Sequence, residues 1–226
     1  MSAREKAKGK GARILIVDDH PIVRQGLAQT LEQQPGLSVC GGAADAAEAL
    51  RMAAKEAPDL VITDLSLGEQ RGGLELIKEL LARLPGLPVL VLSMHDESFY
   101  AERALRAGAK GYIMKQEPPE RVVEAVRRVL RGEIHLSERT AAQLLTQIAQ
   151  GPARPVSPVS RLSDRELQVF KLIGAGYATR QIAQKLSVSS KTVETHRQHI
   201  KEKLRLSDST ALVRAAIEWA RAERAR

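Results

Sequence analysis

Aromatic side chains are scarce, at 3% of 226 residues, so Leu, Val, Ile and Ala must fill any core. Cysteine is scarcer still. Cys40 stands alone, which excludes an internal disulfide and leaves no credible zinc site, and its place at the end of an apolar run suits a reducing cytosol or a buried thiol. No run approaches the ~20 apolar residues of a membrane span, and the basic start, Met1 to Arg13, lacks the apolar stretch of a signal peptide. A cytoplasmic chain with no membrane partner is expected. What is present describes a soluble globular protein, 43% hydrophobic and 27% charged, of a length that favours two ordinary domains. The net charge of +8 is uneven: residues 161–226 hold 14 Lys/Arg against 7 Asp/Glu, residues 1–13 hold 5 against 1, and the stretch between is slightly acidic. Only the last part of the chain is therefore expected to meet a polyanion.

Five short runs, Ile14 to Val17, Leu37 to Cys40, Leu60 to Thr63, Val89 to Leu92 and Gly111 to Met114, alternate with stretches of helical period. Among the latter are Ile22, Leu27 and Leu31, then Leu76, Ile77, Leu80 and Leu81, then Val122, Val123, Val126 and Val129. Strand runs apolar on both faces belong in a parallel sheet covered by helices, so residues 13–131 read as a doubly wound α/β domain of five strands and five helices. Gly132 marks a stop. Leu136 to Ala149 reads as one further helix with Leu144, Leu145 and Ile148 on one side, and Gly151 to Ser160 as an extended Pro/Ser-rich tether, so residues 132–160 form a helix and linker.

Residues 161–226 read as a smaller all-α domain. Ser163 and Glu166 have capping-box spacing, and Leu162 and Leu167 can form the flanking staple of a helix starting near Asp164. Thr179 can cap a short helix carrying Ile182, Ala183 and Leu186. Ser187 to Ser190 supply a turn before a longer helix ending at Leu204, and a final helix from about Ser209 to Arg221 places Leu212, Ala215, Ala216 and Trp219 on one stripe.

The chemistry gathers where the apolar runs stop. In an open parallel sheet ligands bind outside the carboxyl ends of the strands, so Asp18 and Asp19, Asp64, Ser93 and Lys115 are expected to converge. Clustered carboxylates stay ionised together only when a cation offsets them, and Mg²⁺, which shares its oxygen ligands between one or two carboxylates and phosphate, is the natural choice. Lys115 offers a positive charge and Ser93 a hydroxyl to the oxygens of a phosphoryl group in transfer. Asp64, ending a central strand, is the expected nucleophile.

The segments "ILIVDDHPIVRQGL", "DLVITDLSLG", "VLVLSMHDE" and "AGAKGYIMK" resemble the receiver domain of bacterial two-component response regulators, whose fold is flavodoxin-like. This resemblance implies that Asp64 accepts phosphate from a sensor histidine kinase, that Asp19, Asp64 and the Ser66 carbonyl hold Mg²⁺ with Asp18 helping through water, and that Ser93 swings toward the phosphoryl group while Tyr112 turns inward. It implies a phosphoacceptor that at most slowly loses its own phosphate, not an enzyme. The chain departs from the family after Asp64, where Gly68 stands in place of a proline and the loop is one residue longer. It departs again after Lys115, where Gln116 makes a cis peptide unexpected. Ser66 and His95 occupy positions that in this family influence how long the aspartyl phosphate lasts.

On the long helix of the second domain, Val193, Ile200 and Leu204 should face the core. The opposite face carries Lys191, Glu194, Thr195, Gln198 and Lys201, a mixture suited to a DNA groove: Gln can pair with adenine, Glu can accept from cytosine and Thr can touch a thymine methyl. Lys191, Arg197 and Lys201 suit phosphates. Nearly all of Leu162 to Leu206 is similar to the LuxR-type helix-turn-helix domain, which implies that Glu166 is a structural hallmark, that Thr192 and Val193 open the recognition helix, and that Glu194, Thr195 and Gln198 reach bases. Ser187 stands where glycine is common. The combination resembles a NarL/FixJ-type regulator acting as a homodimer on double-stranded DNA. The alternatives are a phosphorylation-independent DNA-binding regulator with a vestigial receiver and, less well matched, a haloacid-dehalogenase-like phosphatase, which needs a second acid where Ser66 stands.

Overall fold

The computed structural model describes residues 11–67, 72–149 and 158–224, and the chain divides into two compact units, Met1–Leu145 and Thr146–Arg226. In the first, β1 (Ala12–Val17), β2 (Leu37–Ala43), β3 (Leu60–Thr63), β4 (Val89–Ser93) and β5 (Gly111–Met114) form one sheet in the order β2-β1-β3-β4-β5, all parallel. Order reverses between β1 and β3, so the carboxyl ends of these two strands open the crevice at which ligands bind in such sheets. The intervening helices are α1 (Pro21–Glu32), α2 (Ala46–Glu56), α3 (Gly73–Arg83), α4 (Glu97–Ala107) and α5 (Pro119–Leu130).

Each helix starts where local chemistry allows. Asp45 and Asp96 cap α2 and α4 by accepting backbone N–H bonds from Glu48 and Ser98, and prolines pre-set φ at the first positions of α1 and α5. The β3 and β4 runs are buried throughout, as layers on both sheet faces require. Val122, Val123, Val126 and Val129 of α5 join Ile14, Ile16, Leu60, Ile62, Leu90 and Leu92 in one core, each side chain contributing about 1.5–3 kcal/mol by leaving water. Ile22 departs from its expected place in that pattern: it is 84% exposed while Leu31 is fully buried, because at ~3.6 residues per turn the two project from opposite sides of α1.

After α5 the chain turns back through Gly132 at φ 85°, and His135 pairs in parallel with Gly111. The Tyr112 N–H donates to the His135 carbonyl at 2.9 Å and the His135 N–H to that of Lys110 at 3.0 Å, which occupies backbone groups on the outer edge of β5. The next helix, α6 (Glu138–Ala149), starts two residues later than expected from Leu136, since Ser137 caps it by accepting from the Thr140 N–H at 3.2 Å while donating its own N–H to the Glu97 carboxylate of α4 at 2.8 Å. Leu145 is exposed. The Ile148 side chain, Gly68 of the lengthened loop and most of the expected Pro/Ser tether lie outside the described residues. The end of that tether is not extended: Pro158–Arg161 forms a 3-10 turn with Val159 buried.

The second unit consists of α7 (Asp164–Gly174), α8 (Thr179–Lys185), α9 (Ser190–Leu204) and α10 (Ser209–Arg224). Ser163 and Glu166 make the expected capping box. Glu166 also accepts from Lys203 Nζ of α9 at 2.6 Å, and although burial would raise its pKa, this bond and that from the Ser163 N–H hold it below the usual carboxylate range. Val193, Ile200, Leu212 and Ala216 are buried around Phe170, whose ring lies 5.8 Å from that of Trp219. Thr179 does not cap α8 as expected. Ala178 holds the N-cap position, Gln181 accepts from its N–H at 2.9 Å, and the Thr179 hydroxyl turns to α9. The turn before α9 runs through Ser187 at φ 51°, the left-handed conformation for which glycine is usual.

Candidate functional site

The strand ends bring Asp18, Asp64 and Lys115 together. Lys115 Nζ lies 2.6 Å from Asp18 Oδ2 and 2.8 Å from Asp64 Oδ2, with all three side chains at most 8% exposed. Backbone pairing sets this convergence: the Asp64 N–H donates to the Val17 carbonyl at 2.9 Å and the Lys115 N–H to that of Ser93 at 2.8 Å. The remaining oxygens are also held, Asp64 Oδ1 by the Leu65 N–H at 2.6 Å and Asp18 Oδ1 by the His20 N–H at 2.9 Å. Burial acts to lower the Lys115 pKa, but hydrogen bonds to Asp18 and Asp64 and their charges outweigh it, so the net direction is upward and the ammonium stays charged.

Asp19 is one-third exposed, beside His20. Its Oδ1 is buried without a hydrogen bond, although His20 Nδ1 stands 2.6 Å away at ion-pair range; that nitrogen is hydrogen-bonded to Asp18 Oδ1 at 3.2 Å. Asp18, Asp19 and His20 also present ligand atoms within 4.8 Å of one another. Three carboxylates against one lysine, with an orphaned buried carboxylate oxygen among them, fit a divalent cation with a preference for hard oxygen ligands. His20 escaped the sequence reading. The available signal was its adjacency to Asp18-Asp19.

Ser93, at the end of β4, is buried and its Oγ accepts from the His95 N–H at 3.3 Å. Tyr112 is wholly buried, and its hydroxyl donates to the His95 carbonyl at 2.8 Å. Burial pushes that phenol well above its usual range, against a hydrogen bond with Ser93 that favours ionisation. Ser66 is exposed, and its Oγ meets His95 Nε2 at 2.9 Å across the mouth of the cleft. The loop after β4 thus touches every remaining member of the predicted set: Ser66, Ser93 and Tyr112.

In the second unit Lys191, Thr192, Glu194, Thr195, Gln198 and Lys201 lie along the outer side of α9, all exposed except Lys201, which is half-buried. The Ser189 hydroxyl caps this helix by accepting from the Thr192 N–H at 3.0 Å. Thr195 Oγ1 donates back to the Lys191 carbonyl at 3.1 Å, and Gln198 Nε2 donates to Glu202 at 2.9 Å. Glu194 accepts from Thr179 Oγ1 at 2.7 Å. Arg197, expected on phosphate, lies along the helix with 14% side-chain exposure and its Nε 3.6 Å from Glu194 Oε2. Among the described residues Lys191 and Lys201 have no acid partner.

A parallel sheet with an acidic crevice at its switch point, joined in one chain to a basic helix-turn-helix, defines a receiver coupled to a DNA-binding output. Residues 14–127 match the family described as the response regulator receiver domain, and residues 160–216 match the bacterial regulatory proteins of the luxR family. The chain belongs to the two-component response regulators, in their NarL/FixJ branch, and regulates transcription. It is 37% identical over 210 residues to the oxygen regulatory protein NreC of Staphylococcus carnosus, a match covering 91% of this chain and 97% of that one. It resembles the structure of RcsB from Salmonella enterica serovar Typhimurium bound to the promoter rprA in the presence of phosphomimetic BeF3⁻, with a TM-score of 0.67 and 28% identity over 91% of this chain and 98% of that chain. A LuxR-family response regulator from Aurantimonas matches 62% of this chain and 99% of its own at 36% identity, with a TM-score of 0.57. Receiver domains generally bind Mg²⁺ at this acidic pocket. No described helix is long and apolar enough to cross a membrane.

Proposed function

We propose that Asp64 is the phosphoacceptor of a receiver spanning residues 13–131, and that its modification controls a DNA-binding domain spanning residues 161–226 through the helix and linker of residues 132–160. The observation that carries this reading is the buried Lys115 ammonium held between Asp18 and Asp64. An Asp64 carboxylate oxygen attacks the phosphorus of a phosphohistidine on a sensor kinase, the new O–P bond forms as the P–N bond breaks, and the imidazole nitrogen retains the electron pair. Lys115 stabilises charge on the transferring group, and Ser93 donates its hydroxyl to it. Asp19, Asp64 and the Ser66 carbonyl would hold Mg²⁺, with Asp18 acting through water. When bound, the cation supplies the positive charge that lets an anionic donor approach clustered carboxylates.

Tyr112, already inward and bonded to the loop that carries Ser93 and His95, is the element through which the modified site would bias the receiver toward one of two arrangements. The output is a homodimer on double-stranded DNA, in the cytoplasm, with α9 in the major groove. Mass spectrometry after incubation with Mg²⁺ and a small phosphodonor such as phosphoramidate tests the site. One phosphoryl group on a peptide containing Asp64, absent in Asp64→Asn, is expected. Sustained release of phosphate would instead indicate a phosphatase, and an unlabelled chain a vestigial receiver.

A further inference from the structure

Glu194 is an anion on the face of a helix that meets a polyanion, so its charge must be offset and its oxygens aimed if it is to contribute to binding. Two side chains do this before any DNA arrives. Thr179, the first residue of α8, donates its hydroxyl to Glu194 Oε1 at 2.7 Å, and Arg197, one turn along α9, places Nε 3.6 Å from Oε2. Arg197 is largely covered at 14% exposure while Glu194 remains 59% exposed, so the arginine backs the carboxylate and the carboxylate faces outward. A carboxylate has about four lone-pair sites; Thr179 occupies one on Oε1, while Arg197 stands beside Oε2 at ion-pair range without a hydrogen bond. Acceptor sites remain on the exposed side, and the group has no donor.

We propose that Thr179 and Arg197 are positioning residues that hold Glu194 as a fixed acceptor for the exocyclic amino group of cytosine, giving the protein a cytosine preference at one position of each half-site. The inference rests on the reading of α9 as the recognition helix. A threonine hydroxyl spends its single proton on Glu194 Oε1, which fixes the carboxylate plane against the start of α8. Arg197 offsets repulsion from neighbouring phosphates without leaving the helix surface. Cytosine N4 is the major-groove amino group that a glutamate pairs with most directly. Guanine and thymine, which present acceptors there, would face the carboxylate lone pair to lone pair.

The test is selection of binding sites from a randomised duplex library by the full chain, with Mg²⁺ and phosphodonor present, followed by sequencing. The wild-type chain should recover a two-part site with one cytosine per half-site favoured about tenfold. Glu194→Ala should abolish that preference alone. Thr179→Val should weaken it several-fold at the same position, and Thr179→Ser, which keeps the hydroxyl, should restore it. A merely structural bond between α8 and α9 would lower affinity at all sequences and leave the selected pattern unchanged in Thr179→Val and Glu194→Ala, which would overturn the proposal. A wild-type site whose pattern ignores Glu194 overturns this inference and leaves the recognition-helix reading standing, whereas a wild-type chain that selects no sequence overturns both.

Discussion

Lys115 is the residue on which the acidic crevice depends, since its ammonium is bonded to two carboxylates that are themselves 2% and 4% exposed. Replacing it with methionine keeps the bulk and strands both anions, so Lys115→Met should lower stability by about 3 kcal/mol in urea unfolding without divalent cations. An unchanged midpoint would mean that the bridge contributes nothing. The raised pKa has a definite sign: the bridge stabilises fully at pH below the ordinary lysine value of 10.5 and is lost as pH rises through the still higher folded-state value. Across the neutral range it is constant. Ser187 presents the opposite case, a residue in a conformation that opposes its own chemistry at φ 51°. Ser187→Gly should stabilise the second domain by up to about 1 kcal/mol, read as a rise in its thermal midpoint.

Close backbone approaches shape two elements, and at one of them only glycine fits. Gly73 opens α3 so near to β3 that an added Cβ would fall 2.2 Å from the Asp64 carbonyl oxygen, so Gly73→Ala should cost about 1–3 kcal/mol and slow labelling of Asp64, whose backbone must shift. At the outer edge of the sheet, a Cβ on Gly111 would stand 3.0 Å from the His135 carbonyl. Burial, then the charge of Arg128, lowers the His135 pKa, while Glu124 and Glu97 oppose this and Arg121 adds to it. Docking of residues 134–136 on β5 is therefore secure above pH 6.5 and weakens as pH falls through the depressed folded-state value. Amide exchange at Tyr112 should show a protection factor that drops in acid, and His135→Leu should remove the drop. Equal protection at pH 5 and 7 would contradict it. The β3 and β4 strands were legible in the sequence because runs buried on both faces leave an unbroken apolar signature, and the valines of α5 because their spacing matches one helical face. Ile22 misled because it is apolar, although at ~3.6 residues per turn its position falls on the side of α1 opposite the buried Leu31. Thr179 misled because its spacing suits a cap while a carboxylate fifteen residues away competes for the same hydroxyl, and no local pattern records such a partner. The Asp18, Asp64 and Lys115 convergence was legible since parallel topology alone carries strand ends to one side.

At the scale of the whole molecule, the charge asymmetry has a physical consequence. The basic excess lies in the C-terminal residues, with Lys191 and Lys201 on α9 lacking acid partners among the described residues, so each is expected to displace a counterion from a DNA phosphate. Lys191→Ala and Lys201→Ala should each reduce the slope of log affinity against log salt by about 0.9 and weaken all sequences alike. Affinity loss confined to particular sequences would instead place these lysines on bases. Neither substitution should alter labelling of Asp64, because the acceptor site is built entirely from the first unit. Phosphorylation of Asp64, which forms an acyl phosphate in the first unit, is expected to change how tightly the full chain holds its DNA. Fluorescence anisotropy on a selected duplex, with Mg²⁺ present and the phosphodonor added or omitted, measures this most directly. At least a tenfold tighter complex with phosphodonor is expected for the wild-type chain and no change for Asp64→Asn; identical affinity in both states of a chain shown to be phosphorylated would overturn Asp64 as the control of DNA binding.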